Sequence, residues 1–230
     1  MKKKKLHSQV LVISFVSLFT DIASEMLYPV TPIFMSTILG ASMTIIGIME
    51  GIAEVIAGFL KGYFGKISDN IRKRSIFVTI GYSLSAISKP LPGIFPNIPI
   101  VFGARVLDRL GKGVRTAPRD ALLSTYSENN SGAVFGFHRA MDTLGAALGP
   151  AFALLLLFLF PGNYRLIFLV AFFPSLIAVT FTFFVKDRFV SKSKSVKISY
   201  SDFLSHSPKQ YKILLTLFTI FSFANSSDTF

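Results

Sequence analysis

The chain has 230 residues, 51% of them hydrophobic, with 25 Phe, no Cys and a formal net charge of +12 from 24 Lys plus Arg against 12 Asp plus Glu. A mean hydropathy of +0.57 and apolar runs far longer than a soluble core needs exclude a soluble globular domain and identify an integral membrane protein. The basic residues are grouped between apolar segments instead of being spread over a soluble face with stacking aromatics, which excludes nucleic-acid binding, and without Cys there is no disulfide and no thiolate metal site.

Residues 1–9 form a basic head, Lys2 to Lys5, followed by the apolar stretch Val10 to Phe19, an imitation of a secretory signal. No small-x-small cleavage site follows, and apolar character resumes past Asp21 and Glu25 through Met26, Leu27, Val30, Ile33 and Phe34, so the segment reads as a first spanning helix. Spans of about 20 or more residues place helix 1 near 10–38, helix 2 near 44–64 and helix 3 near 75–92. Helix 4 follows near 98–121, helix 5 near 133–160 and helix 6 near 164–185. Pro29 and Pro32 predict a bend in helix 1. The stretch 186–212 holds seven Lys or Arg against Asp187 and Asp202, a net of +5, and reads as a cytoplasmic linker that either tethers or hinges two bundles and lies on anionic lipid. A seventh apolar segment occupies 213–230.

The connections alternate in charge. Lys2 to Lys5, Lys61, Lys66, Arg72, Lys73, Arg74 and the 186–212 stretch fall on one side; the opposite turns offer only Lys89 and Arg165. The positive-inside rule therefore puts the N-terminus and the linker in the cytoplasm, with the chain a multi-pass protein of the cell membrane.

Ionisable groups stand in the middle of these spans, where a charge costs about 2.5 to 3.5 kcal/mol on insertion scales and faces a polar path instead of lipid. At about 1.5 Å per residue, Asp21 on helix 1, Glu54 on helix 2, Asp108 with Arg109 on helix 4 and Asp142 on helix 5 reach a similar depth. Asp21 and Glu25, Glu50 and Glu54, and Arg105 and Arg109 are each spaced i,i+4 and share a helix face. Six acids (Asp21, Glu25, Glu50, Glu54, Asp108, Asp142) thus meet Arg105, Arg109 and Lys112, three bases at most. Crowded carboxylates in a poorly solvated cavity do not all stay ionised, so this excess predicts a bound proton or cation and a proton-coupled carrier. Arg105, Asp108 and Arg109 also fit a purely structural role, neutralising one another between helices. The acids favour cationic or zwitterionic solutes, while the two arginines leave anions open. Gly47 with Gly51, Gly58 with Gly62, Gly132 with Gly136 and Gly145 with Gly149 fit small-xxx-small spacing and predict close helix contacts.

Gly65-Lys-Ile-Ser-Asp69-Asn-Ile-Arg72-Lys73-Arg74 resembles the G-x-x-x-D-[RK]-x-G-[RK]-[RK] loop between the second and third helices of the major facilitator superfamily. Asn70 stands where that loop has a basic residue and Arg72 where it has its second glycine; Gly65, Asp69, Lys73 and Arg74 match. Gly145-Ala-Ala-Leu-Gly149-Pro150 resembles the G-x-x-x-G-P of the family's antiporter motif, without the trailing Gly-Gly. Arg105 with Asp108-Arg-Leu-Gly-Lys-Gly113 looks like a variant of its R-x-x-Q-G-x-G motif, and Thr20 to Met26, Arg115 to Asp120 and Phe135 to Asp142 resemble a subgroup of bacterial transporters. The resemblance implies an all-α six-helix bundle built as a 3+3 inverted repeat, followed by the start of a seventh helix. It further implies transport by alternating access, with the loop at Gly65 to Arg74 acting as a charged latch through Asp69. A full member has about twelve helices, so the chain reads as a truncated N-terminal half whose partner half is missing, in preference to a pair of self-assembled copies. The family's inverted sense is echoed by Asp21 with Pro32 on helix 1 and Asp108 with Pro118 on helix 4.

Other classes lack parts. There is no H-E-x-x-H and no P-loop, Gly111-Lys-Gly113 lacks a third glycine and a preceding strand, and no cofactor or metal is implied. His7, His138 and His206 stand apart, and His138 beside Arg139 reads as a helix-end polar residue. A membrane-embedded hydrolase with a cation held by carboxylates is disfavoured by the lack of His partners, and a cation channel lined by Glu50 and Glu54 is the alternative to a carrier.

Overall fold

The computed structural model describes residues 6–127, 130–188 and 200–224, in two units, Met1–Phe189 and Val190–Phe230. All regular structure among these residues is helical.

In the first unit, α1 (Ser8–Leu27) stops at Tyr28, and after Pro29 the path resumes as α2 (Val30–Ile33) and one π turn (Phe34–Ile38). The prolines account for the break: neither ring nitrogen can donate to the carbonyl four residues back. Ser42 then caps α3 (Met43–Ile71), its hydroxyl accepting the Ile45 N–H at 3.4 Å. Arg72 ends α3 in the left-handed region at φ 60°, and α4 (Arg74–Ser88) follows after Lys73. Pro90 separates α4 from the single turn α5 (Leu91–Ile94). Asn97 receives the Ile100 N–H at the start of α6 (Ile98–Ser127), and α7 (Ser131–Leu159) and α8 (Tyr164–Thr182) complete the unit. The second unit holds α9 (Tyr200–His206) and α10 (Lys209–Ala224).

Helices therefore reach further than hydropathy alone placed them. α3 runs past 64 to Ile71 and α6 past 121 to Ser127, because polar residues at a helix end keep their backbone bonds while their side chains meet water. α9 forms within the stretch expected as linker; 189–199 and 225–230, which hold other parts of that linker and the end of the expected seventh span, lie outside the described residues.

Four helical paths among the described residues are long and apolar enough to cross a membrane: Ser8–Ile38, Met43–Ile71, Ser131–Leu159 and Tyr164–Thr182. α4, at 15 residues, and α6, dense in charge, fall short on length or composition. Packing explains their company: α6 lies against α3 and α4, and α4 also touches α8, so their polar faces are turned toward neighbouring helices.

The contacts follow one rule. Exchanging α1 with α6, α3 with α7 and α4 with α8 turns the α1–α7 contact into α6–α3 and the α1–α8 contact into α6–α4, and maps α4–α8 onto itself. Three helices repeated about a two-fold axis produce this pattern. One core, around Phe34, Met49, Val101, Ile167 and Phe168, fills the end that holds the 39–42 turn; a second, around Ile13, Tyr82, Leu122, Leu123 and Val134, fills the end that holds the N-terminus. Outward faces remain apolar, with Phe59 and Phe158 at least 80% exposed, as acyl chains require.

At the N-terminal end the chain after α8 is stitched to three helices. Gln9 Oε1 accepts the Lys186 N–H at 2.8 Å, the Tyr126 hydroxyl donates to the Lys186 carbonyl at 2.7 Å, and Asp187 accepts both the N–H and the hydroxyl of Ser75. The last contact caps α4, so residues 186–188, expected in the linker, belong structurally to the bundle's end.

Candidate functional site

α3 and α6 run in the same direction, which aligns their two i,i+4 pairs rung by rung. Arg105 donates through Nε and Nη2 to the two Glu50 oxygens, both at 2.7 Å, a bidentate pair. One turn on, Arg109 Nε lies 3.2 Å from Glu54 Oε2 and its Nη2 lies 3.9 Å from Glu50. The helices can approach this closely because Gly113 faces α3: a Cβ there would stand 2.7 Å from the Leu60 Cβ and 3.1 Å from the Ala57 carbonyl oxygen. Three of the four charged side chains are less than 20% exposed, but Glu54 is 63% exposed. The ladder thus opens on one side.

Asp108, expected at a similar depth to these groups, pairs away from the ladder. Its carboxylate pairs with Lys89 Nζ at 3.2 Å, and the same ammonium donates to Ser24 Oγ at 3.0 Å, tying α4 and α6 to α1. Sequence reading had put Lys89 in an outer turn; it is instead 3% exposed at the end of α4, because the helix continues to the break at Pro90 and carries the side chain inward. Ser24, Thr31, Ser88, Lys89, Arg105 and Asp108 border a cavity of about 40 Å³, enough for one or two waters.

Asp21, Glu25 and Asp142 gather at the contact of α1 with α7. A Cβ on Gly145 would stand 2.7 Å from the Leu18 carbonyl oxygen and 2.9 Å from the Asp21 Cβ; one on Gly149 would stand 2.7 Å from the Ile22 carbonyl oxygen and 2.8 Å from the Glu25 Cβ. These glycines, one turn apart and followed by Pro150 within α7, set the crossing beside both acids. Among the described residues neither Asp21 nor Glu25 makes a hydrogen bond or ion pair. Asp142 Oδ1 lies 3.7 Å from His138 Nε2. His138 is 4% exposed, with Nδ1 3.4 Å from Ser14 Oγ on α1, so it is an interior residue and not the helix-end group that its neighbour Arg139 suggested.

Two arginines of α6 escaped the sequence search for site residues. Arg115 lies over the Tyr82 ring at 4.4 Å from its centroid and bonds the Ser85 hydroxyl. Arg119 donates to Ser17 on α1 at 3.1 Å and to Asp120 at 2.9 Å. With Lys89 they remove the surplus of acid that hydropathy-based depth implied, for the bases near the six acids now include Lys89, Arg115 and Arg119 as well as Arg105, Arg109 and Lys112. The available signal was the spacing of Arg115 and Arg119, i,i+4 again, further along the same helix as Arg105 and Arg109.

At the loop, Gly65 packs on Ala117 of α6, and Asp69 accepts both Nε and Nη2 of Arg74 at 3.2 and 2.7 Å, linking the end of α3 to the start of α4. Lys73 is exposed beside it. Arg72 takes the left-handed conformation at the position where the resembled loop has glycine, which is why glycine suits that place. Of the other paired glycines, Gly51, Gly58, Gly62, Gly132 and Gly136 meet open space, so no close contact within this unit uses them.

The Major Facilitator Superfamily model matches residues 13–230. An uncharacterized MFS-type transporter of Methanocaldococcus jannaschii is 33% identical over 229 residues, 99% of this chain and 56% of that protein. Uncharacterized proteins of Mycobacterium bovis and Mycobacterium tuberculosis are 31% identical over 142 residues, 61% of this chain and 34% of theirs. The chain spans about half the length, or less, of these relatives. Its helical repeat, its charged ladder within apolar spans and these matches agree: the chain belongs to the major facilitator superfamily, a family of multi-pass membrane transporters.

Proposed function

We propose that this chain is the N-terminal six-helix half of a secondary active transporter that moves a small solute by alternating access and couples it to protons. The supporting observation is the open side of the α3–α6 ladder: Glu54 stands about 17 Å along α3 from Met43, near mid-membrane, yet is 63% exposed. A carboxylate does not face acyl chains at that depth, so the ladder borders water, and a second half of the kind implied by the longer relatives supplies the opposite wall. Glu50, Glu54, Arg105 and Arg109 then meet the solute, while Asp108 with Lys89 holds α1, α4 and α6 in place.

Proton coupling rests on Asp21. It lies in the α1–α7 contact beside Asp142, has no hydrogen bond or ion pair among the described residues, and sits where its charge state alters a helix crossing. The basic N-terminus, the 61–74 loop and the 186–212 stretch favour a cytoplasmic N-terminus in the cell membrane, with 186–212 joining the two halves. Coupling is read from proton entry into proteoliposomes that hold the transporter complete with its second half and an entrapped pH dye, on addition of amino acids, sugars or organic ions. Solute-driven, saturable proton flux that is lost in Asp21→Asn is the expected result; equal flux in wild type and variant removes Asp21 from coupling.

A further inference from the structure

The geometry points to a second proton-binding site, the His138–Asp142 couple of α7, in which one proton is shared between an imidazole and a carboxylate inside the α1–α7 contact. It rests on the proton-coupled reading above and deepens it by joining to Asp142, already among the expected acids, the imidazole of His138, which sequence reading took for a helix-end polar residue.

His138 Nε2 and Asp142 Oδ1 are both enclosed by protein and neither has a hydrogen-bond partner among the described residues. They are one helical turn apart and 3.7 Å from each other. A structural histidine commonly uses both ring nitrogens; here Nδ1 meets Ser14 and Nε2 is left aimed at the carboxylate. A proton on Nε2 makes the imidazole a donor to Oδ1, and a movement of about 1 Å brings the two atoms to hydrogen-bond distance.

On this side of the bundle α1 contributes Asp21 and Glu25, α6 contributes Arg115, Arg119 and Asp120, and α7 contributes Asp142 and, on its exposed face, Arg139. α4 contributes Tyr82, its ring beneath Arg115. Four carboxylates, Asp21, Glu25, Asp120 and Asp142, thus meet two interior guanidinium groups, Arg115 and Arg119, an excess of negative charge that a proton on the couple reduces. The other side carries no such excess, with Lys89, Arg105, Arg109 and Lys112 against Asp108, Glu50 and Glu54. In a poorly solvated cluster an excess of carboxylates favours holding a proton. The proton comes from water, binds Nε2, and leaves by the same atom; no bond between heavy atoms changes. Gly145, three residues beyond Asp142, packs on Asp21 and the Leu18 carbonyl, so the protonation state bears directly on the crossing of α1 and α7.

The test is nuclear magnetic resonance of the complete protein in nanodiscs with carbon-13 at histidine Cε1, titrated from about pH 4 to about pH 9, with the His138 signal taken as the difference between wild type and H138Q. His138 is expected to titrate within that range, with about tenfold weaker proton affinity in D142N and a smaller loss in D21N, since each variant removes a negative neighbour. A His138 signal that stays constant across the range, or one with the same midpoint in wild type, D142N and D21N, overturns the site. The readout is independent of solute movement, so a titrating His138 together with unaltered flux in Asp21→Asn leaves this site standing and removes the role given to Asp21.

Discussion

Lys89 shows how one residue's depth decides its meaning. An ammonium 3% exposed between Asp108 and Ser24 is stable only because both partners are present. Asp108→Asn leaves that charge opposite a neutral amide and is expected to lower stability by about 3 to 5 kcal/mol, whereas Lys89→Met combined with Asp108→Leu recovers most of it, since two apolar side chains leave no charge behind. Thermal unfolding in detergent reads both. At Arg72, Arg72→Gly is expected to raise stability by about 0.5 to 1 kcal/mol, as a side chain in the left-handed region is strained and glycine is not. Sequence spacing already paired Glu50 with Glu54 and Arg105 with Arg109, because i,i+4 on a helix fixes a face. It did not reveal that Asp108, three residues from Arg105, turns to α4, nor that His138 is interior. Both depend on which neighbouring helix is nearest, and hydropathy along one segment holds no such information.

At the scale of helices, the glycine pairs divide by what they meet. Gly145→Val places methyl groups where the Leu18 carbonyl and Asp21 already stand, so α1 and α7 must separate; a loss of about 1 to 3 kcal/mol or more is expected. Gly58→Ala meets open space and costs nothing in packing within this unit. Comparing the two unfolding temperatures checks the contact. All four pairs have the same spacing, and only the fold tells an inner contact from an outer face. Four of the expected spans, helices 1, 2, 5 and 6, were by contrast legible as apolar runs of sufficient length, and so was the bend at Pro29 and Pro32. Helix ends were less so: α3 and α6 continue through polar residues that hydropathy treats as loop, and Asp187 caps α4 from more than a hundred residues away.

For the whole molecule, family, all-helical class and membrane setting follow from composition and motif, while the internal symmetry of packing emerges from the contacts among α1, α3, α4, α6, α7 and α8. The proposal for function turns on which surface of that bundle meets water. No Cys occurs in the chain, so single-cysteine variants report one position each. The most direct measurement is labelling of Glu54→Cys and Asp108→Cys in oriented membranes by a membrane-impermeant maleimide, applied to each face in turn. Glu54→Cys is expected to react from an aqueous face, and Asp108→Cys, enclosed between α1, α4 and α6, to react far more slowly from either. Position 54 sealed from both faces while folding is intact would contradict the account, for the charged ladder would then border lipid or protein and not a solute path.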